Sequence, residues 1–136
     1  MLRVYISLLL LLSTTHIFSA EYVVIANKNM KDLSQMQIKA IFLKKLTIID
    51  DTKMVPVSLG ARDSLRENFE KNILKMNFQR LKSYWSKQHY LGHRPPLSMK
   101  SEESVKAFVK KVDGAIGYIE KSAIDNDIKI LYEWKD

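Results

Sequence analysis

The sequence predicts an α/β domain whose mainly parallel sheet is flanked by helices, and three observations carry that expectation. Short β-branched or apolar runs at residues 22–26 and 115–119 have the length of buried strands. Between such runs lie stretches with apolar residues at helical spacing, each opened by a Ser or Asn cap. Strand and helix alternate with no repeat and no linker, an order that favours parallel strands joined by crossover helices.

The elements follow in order. Residues 22–26 form the first strand. Ser34 and Gln37 make an S-x-x-Q capping box for the next helix, with Leu33 and Ile38 placed to staple its start. Leu33, Met36, Ala40 and Leu43 are its expected inward face. Residues 54–58 read as a second strand, and Pro56 points to a sheet edge or a strand end, because proline offers no ladder donor. Ser64 with Glu67 is a second capping box, and Leu65, Phe69, Ile73 and Met76 point inward from the helix it opens. Asn77 caps a third helix carrying Phe78, Leu81, Tyr84 and Trp85 as an apolar stripe. Gly92 to Pro96 is a loop, with the Pro pair holding the backbone extended. Ser101 opens a fourth helix with Glu102 and Glu103 in its first turn, Lys110 and Lys111 in its last, and Gly114 as its stop. Val105, Phe108, Val109 and Val112 mark its buried side. Residues 115–119 and 128–132 are the closing strands.

The first twenty residues predict export. Met1 and Arg3 precede an apolar run over residues 4–12, and Ser19-Ala20 forms a small-residue exit. Cleavage is expected after Ser19 or Ala20, giving a signal peptide over 1–20 and one periplasmic domain over 21–136, which is expected to be soluble because there is no cysteine to carry a lipid. Without residues 1–20 the chain keeps 21 basic and 15 acidic groups. The Lys residues read as scattered along the chain, and together with export this argues against nucleic acid as a partner. With no cysteine, no disulfide is available, and the core must carry stability alone.

Few residues suggest chemistry. The sequence has no G-x-S-x-G elbow, no phosphate loop ending in Gly-Lys, and no H-E-x-x-H. No enzyme and no cofactor are expected. His89 and His93 have the spacing of two metal ligands on a helix, but Gly92 breaks that helix and no third ligand lies nearby. In α/β sheets ligands sit where strands end and helices begin, which points to residues 58–66. Two readings fit that turn. It is an ordinary helix start, occupied by Asp63, Ser64 and Glu67. Alternatively it is an anion site built from the amides of Leu65 and Arg66, the Ser64 hydroxyl, and charge from Arg62 or Arg66.

The segments also resemble a known family. Residues 33–43, ending Ala40-Ile41-Phe42-Leu43, are similar to a helix of phosphate ABC transporter substrate-binding proteins. The segment 54–57, the turn Asp63-Ser64-Leu65-Arg66 and Phe69 resemble the strand, anion-binding turn and helix that follow it. Tyr84-Trp85-Ser86, Gly92, Pro95-Pro96 and Gly114-Ala115-Ile116-Gly117-Tyr118 match later landmarks in order. The closest likeness is to short members resembling one lobe of a type II periplasmic binding protein. Where long relatives read Gly-Ser-Gly-Thr, this chain reads Arg62-Asp63-Ser64-Leu65, and only Ser64 keeps a hydroxyl. The resemblance implies a periplasmic solute-binding function, with phosphate or a similar oxyanion as ligand and an ABC transporter as destination. The alternative is an interaction or sensory accessory module, presenting its surface to a membrane transporter, a sensor or a second copy, without tight ligand binding.

Overall fold

A computed structural model describes residues 20–136, so the expected signal peptide, apart from Ala20, lies outside the described residues. Among those residues, no helix is long and apolar enough to cross a membrane. The strands are β1 (Glu21–Asn27), β2 (Ile48–Ile49), β3 (Thr52–Lys53), β4 (Val55–Leu59), β5 (Leu97–Met99), β6 (Ala115–Glu120) and β7 (Ile128–Lys135). The helices are α1 (Gln35–Phe42), α2 (Ser64–Phe69), α3 (Phe78–Tyr90) and α4 (Glu102–Lys111). Alpha-helix α2 widens into a π-helical turn over Glu70–Leu74, closed by Lys75 in the left-handed region at φ 57°.

Five strands form one sheet in the order β5-β4-β6-β1-β7, and β2-β3 is a separate hairpin. Strand β4 pairs in parallel with β5 and β6, whereas β1 is antiparallel to both β6 and β7. Four of the five strands therefore run in one sense and β1 alone opposes them, so the expected mostly parallel sheet carries one reversed strand, next to its β7 edge. Residues 23–27 of β1 are all buried, as a strand covered on both faces requires.

The two faces separate cleanly on β6. A Cβ on Gly117 would meet Val105 and Val109 of α4 at 2.7 and 3.7 Å, so this residue lets α4 lie close against the sheet. Its neighbour Tyr118 points to the other face and stacks on Phe69 of α2 with centroids 4.0 Å apart. Phe42 of α1 meets Phe69 edge-on at 4.7 Å, and Trp134 of β7 closes the cluster at 5.9 Å. Rings in these tilted and offset arrangements add to the burial they already provide.

Three local expectations are corrected. Met36 is 83% exposed; Leu33 and Leu43 are buried as expected at the two ends of α1, and between them the buried residues are Ile38, Ile41 and Phe42. The Ser34–Gln37 capping box forms in both directions, which starts the helix at Gln35 and fixes that phase. Phe78 is 67% exposed, leaving Leu81 as the one buried residue of α3, with Tyr84 and Trp85 half-buried. The Ser64–Glu67 capping box does not form, because Asp63 caps α2. Two elements were not anticipated: β5, and the β2-β3 hairpin whose turn residues Asp50 and Asp51 both adopt positive φ.

Candidate anion-binding turn

Strand β4, one strand in from the β5 edge of the sheet, delivers the turn. Ser58 Oγ and Tyr118 Oη lie 2.6 Å apart, and the Leu59 N–H donates to the same phenol at 3.1 Å. Burial pushes the Tyr118 hydroxyl up to about 12, so it stays protonated through the physiological range. This buried pair anchors the strand end from which the turn departs.

Beyond it, the Asp63 N–H donates to Gly60 O at 3.0 Å, and Asp63 Oδ1 accepts from the Leu65 N–H at 2.8 Å. The carboxylate thus satisfies one of the donors that a helix start leaves open and complements the dipole. Arg66 turns back into the protein. Its Nη1 donates to Leu59 O at 3.0 Å, and its Nε lies 3.5 Å from Glu70 Oε1. Burial raises the Glu70 carboxyl above its ordinary value despite the attraction of Arg66, and the nearby Glu67 pushes in the same direction.

The four expected site residues are therefore placed differently. Arg62 and Ser64 are exposed, Leu65 is buried with its N–H already engaged, and Arg66 is half-buried with its guanidinium committed at two atoms. The void beside Ser58 and Arg66, walled by Phe69, Trp85 and Pro96, measures about 20 Å³. That is room for about one water molecule. A larger cleft of about 610 Å³ lies against α2 and the start of α3. It touches the turn only at Ala61, and it mixes Glu67 and Glu70 with Lys71 and Lys75, so its walls favour neither sign of ligand. His89 lies in the last turn of α3 and His93 beyond it, past Gly92 at φ 81°. Among the described residues, no three His, Cys, Asp or Glu side chains gather as a metal site.

No family model and no curated protein matches this sequence. Solved structures do match. One is a candidate phosphate ABC transporter substrate-binding protein with bound phosphate from Clostridium perfringens: TM-score 0.66 and 24% identity, over 82% of this chain and 44% of the other. Another is an ABC-type phosphate transport receptor from Vibrio cholerae: TM-score 0.65 and 17% identity, over 84% of this chain and 47% of the other. The fold is that of a periplasmic-binding-protein lobe. The lobe spans less than half the length of either structure, and at these identities the likeness establishes the fold alone. Sequence reasoning located the strand-to-helix turn but not the Ser58–Tyr118 pair that anchors it. The only signal for that pair was a hydroxyl in each of two runs that read as buried strands.

Proposed function

We propose that this chain is an exported, non-enzymatic solute-binding lobe that takes phosphate or a similar oxyanion at the β4–α2 turn on behalf of an ABC transporter. The likeness to a structure holding bound phosphate carries the reading, together with a turn that leaves Arg62 and Ser64 exposed at the positive end of α2. The anion would take charge from Arg62, the Ser64 hydroxyl and the Arg66 N–H, and the Leu65 N–H once Asp63 swings aside. Releasing that cap costs about 1 kcal/mol, and the exposed half-site leaves the ligand facing water. Both weaken binding, and a dissociation constant of about 1 mM, about −4 kcal/mol, is the affinity the proposal expects. A transporter, a sensor or a second copy covering the turn would tighten it.

The test is a titration of the purified protein with inorganic phosphate at constant ionic strength, followed by backbone amide shifts. Shifts confined to residues 58–67, lost in Arg62→Ala with Ser64→Ala, support the proposal. Silence of those amides at about ten times the expected dissociation constant sinks it.

A second reading has its own support: an interaction module without tight ligand binding. The engaged Leu65 N–H, the doubly committed Arg66 and the void of about 20 Å³ all favour it. It predicts that phosphate leaves the turn amides unmoved.

A further inference from the structure

The net charge of this protein has one address. The chain has 22 Lys and Arg against 15 Asp and Glu, and residues 71–101 contain seven of the basic groups and no acidic one. The rest of the chain is neutral, so the entire excess of +7 sits in 31 residues. The basic groups, read above as scattered, are instead segregated by sign. Lys71 and Lys75 precede α3, Arg80, Lys82 and Lys87 lie on it, and Arg94 and Lys100 flank β5.

All seven are exposed, and among the described residues none makes an ion pair, although Lys and Arg elsewhere make nine. The same segment holds four of the seven large apolar side chains exposed among the described residues: Phe78, Tyr90, Leu91 and Leu97. Tyr90 is 91% exposed, and Leu91 and Leu97 are each 62% exposed. A shallow groove of about 460 Å³ runs along α3 past Lys82, Trp85, Ser86, His89 and Tyr90. Lys71 and Lys75 face Glu67 and Glu70 across the larger cleft, but Arg80, Lys82, Lys87, Arg94 and Lys100 have no acidic residue within their segment. Such charge beside exposed rings is costly to leave unused, since like charges repel and apolar surface invites association.

From this we infer that the arm formed by α3 and β5 is a docking surface for an acidic protein segment carrying aromatic or aliphatic anchors. Charge complementarity selects an anionic partner. Geometry selects a protein over a bilayer. At about 100° per residue, Tyr90 projects from α3 about 120° away from Phe78, and Leu91 stands beyond the helix at its C-cap. A flat membrane meets one face of a helix, whereas an irregular protein segment can engage several. Addition of a strand at β5 is disfavoured, because the strand has three residues and follows Pro95-Pro96. The inference stands whether or not the β4–α2 turn takes an anion.

The test uses three probes with the purified protein at low salt: a labelled random Glu–Tyr copolymer, polyglutamate, and phosphatidylglycerol vesicles. The copolymer should bind about tenfold more tightly than polyglutamate, with amide shifts within 71–101 and at least about a tenfold loss at molar salt. Lys82→Glu with Lys87→Glu should weaken copolymer binding about tenfold. Lys28→Glu with Lys111→Glu, the same charge change at exposed sites elsewhere, should weaken it less than about threefold. Tyr90→Ser with Leu97→Ser should bring the copolymer down to the level of polyglutamate.

Preference for vesicles would overturn the inference in favour of a membrane surface. Equal sensitivity to the two charge-reversed pairs would reduce it to bulk charge, and no copolymer binding would leave the arm a solvated face. Shifts at 58–67 in place of 71–101 would also refute it, and they separate its failure from that of the oxyanion reading. The shift map and salt dependence use the unaltered protein, so the test holds even if a variant unfolds.

Discussion

Replacing Asp63 by Asn separates the two readings of the β4–α2 turn, because it acts on helix stability and on anion affinity differently. Asp63 Oδ1 accepts from the Leu65 N–H at 2.8 Å, so an anion reaching that N–H would sit about 4 Å from the carboxylate. At that separation two unit charges repel by about 1 kcal/mol in water and about 4 kcal/mol at an effective dielectric of 20. The turn is half open to solvent, which places the repulsion near the lower figure, about 1–2 kcal/mol, or about five- to thirtyfold in affinity. Asn caps helices as well as Asp does, so only the dipole interaction is lost, about 0.3–1 kcal/mol of stability. Asp63→Ala removes the cap as well and should cost about 1 kcal/mol more. Urea unfolding and phosphate titration by amide shifts, run on all three proteins, read both effects. If phosphate binds the Asn variant no better than the parent while the fold is intact, the anion does not sit at this helix start.

Other expectations follow from the packing. Gly117→Ala places a methyl 2.7 Å from Val105 Cγ1 and 3.2 Å from Val57 Cγ2, and urea unfolding should show a loss of about 1–3 kcal/mol. Gly114→Ala should cost more, because φ is +79° and the new Cβ would overlap the Lys53 carbonyl; by contrast Gly60→Ala meets nothing within 4 Å and should leave the melting temperature nearly unchanged. Tyr118→Phe strands the Leu59 N–H and the Ser58 hydroxyl at an expected cost of about 1–3 kcal/mol. Because burial raises the Tyr118 pKa from 10.0 to about 12, its protonated form favours folding below pH 10, and that contribution disappears as pH climbs from 10 to 12. The Phe variant should accordingly show a flatter decline in stability across that window. Hydrogen exchange should find α3, with one buried residue of thirteen, opening well below the energy that exposes β6, where five of six residues are buried. Tyr84→Phe, which removes the 2.6 Å bond to Leu43 O, should speed exchange in α3 and leave β1 unchanged.

How much of this was legible depended on how local each feature is. The caps at Ser34, Asn77 and Ser101 were readable because a cap and the N–H it serves lie within three residues. The order of the sheet was not, since β1 finds β6 and β7 about a hundred residues away and nothing near Tyr22 encodes their direction. Asp63 and Ser64 are both good caps and adjacent. The choice fell to Asp63 because the turn closes there, through its N–H to Gly60 O, a geometry that residue identity alone does not express. Met36 was assigned inward from spacing, yet a helix of eight residues has a narrow buried stripe, and Ile38 with the Ile41-Phe42 pair claims it. Strand β5 escaped notice because three residues after two prolines carry almost no period. At the candidate site, the position of the turn was readable from strand–helix alternation, whereas the engagement of Arg66 depended on a carbonyl seven residues earlier and on Glu70.

The separation of charge bears on both functional readings. Residues 58–66 carry Arg62 and Arg66 against Asp63, but Glu67 and Glu70 follow on the helix, so the turn together with that helix is acidic by one charge over residues 58–70. Its field does not draw an anion in; the short-range donors would have to do all the work of binding. The field that does attract anions originates in residues 71–101, which begin one residue after Glu70, at the cleft where Lys71 and Lys75 meet Glu67 and Glu70. An acidic partner seated on α3 would neutralise the arm. A small oxyanion steered by the same field would approach the turn from the side of the arm. If phosphate binds, its salt dependence would therefore be tied to the arm even where the contact is made at the turn. Reversing Lys71 and Lys75 should slow phosphate association while leaving the bound-state amide shifts at 58–67 in place. An effect on the shifts themselves would mean that the ligand rests in the cleft.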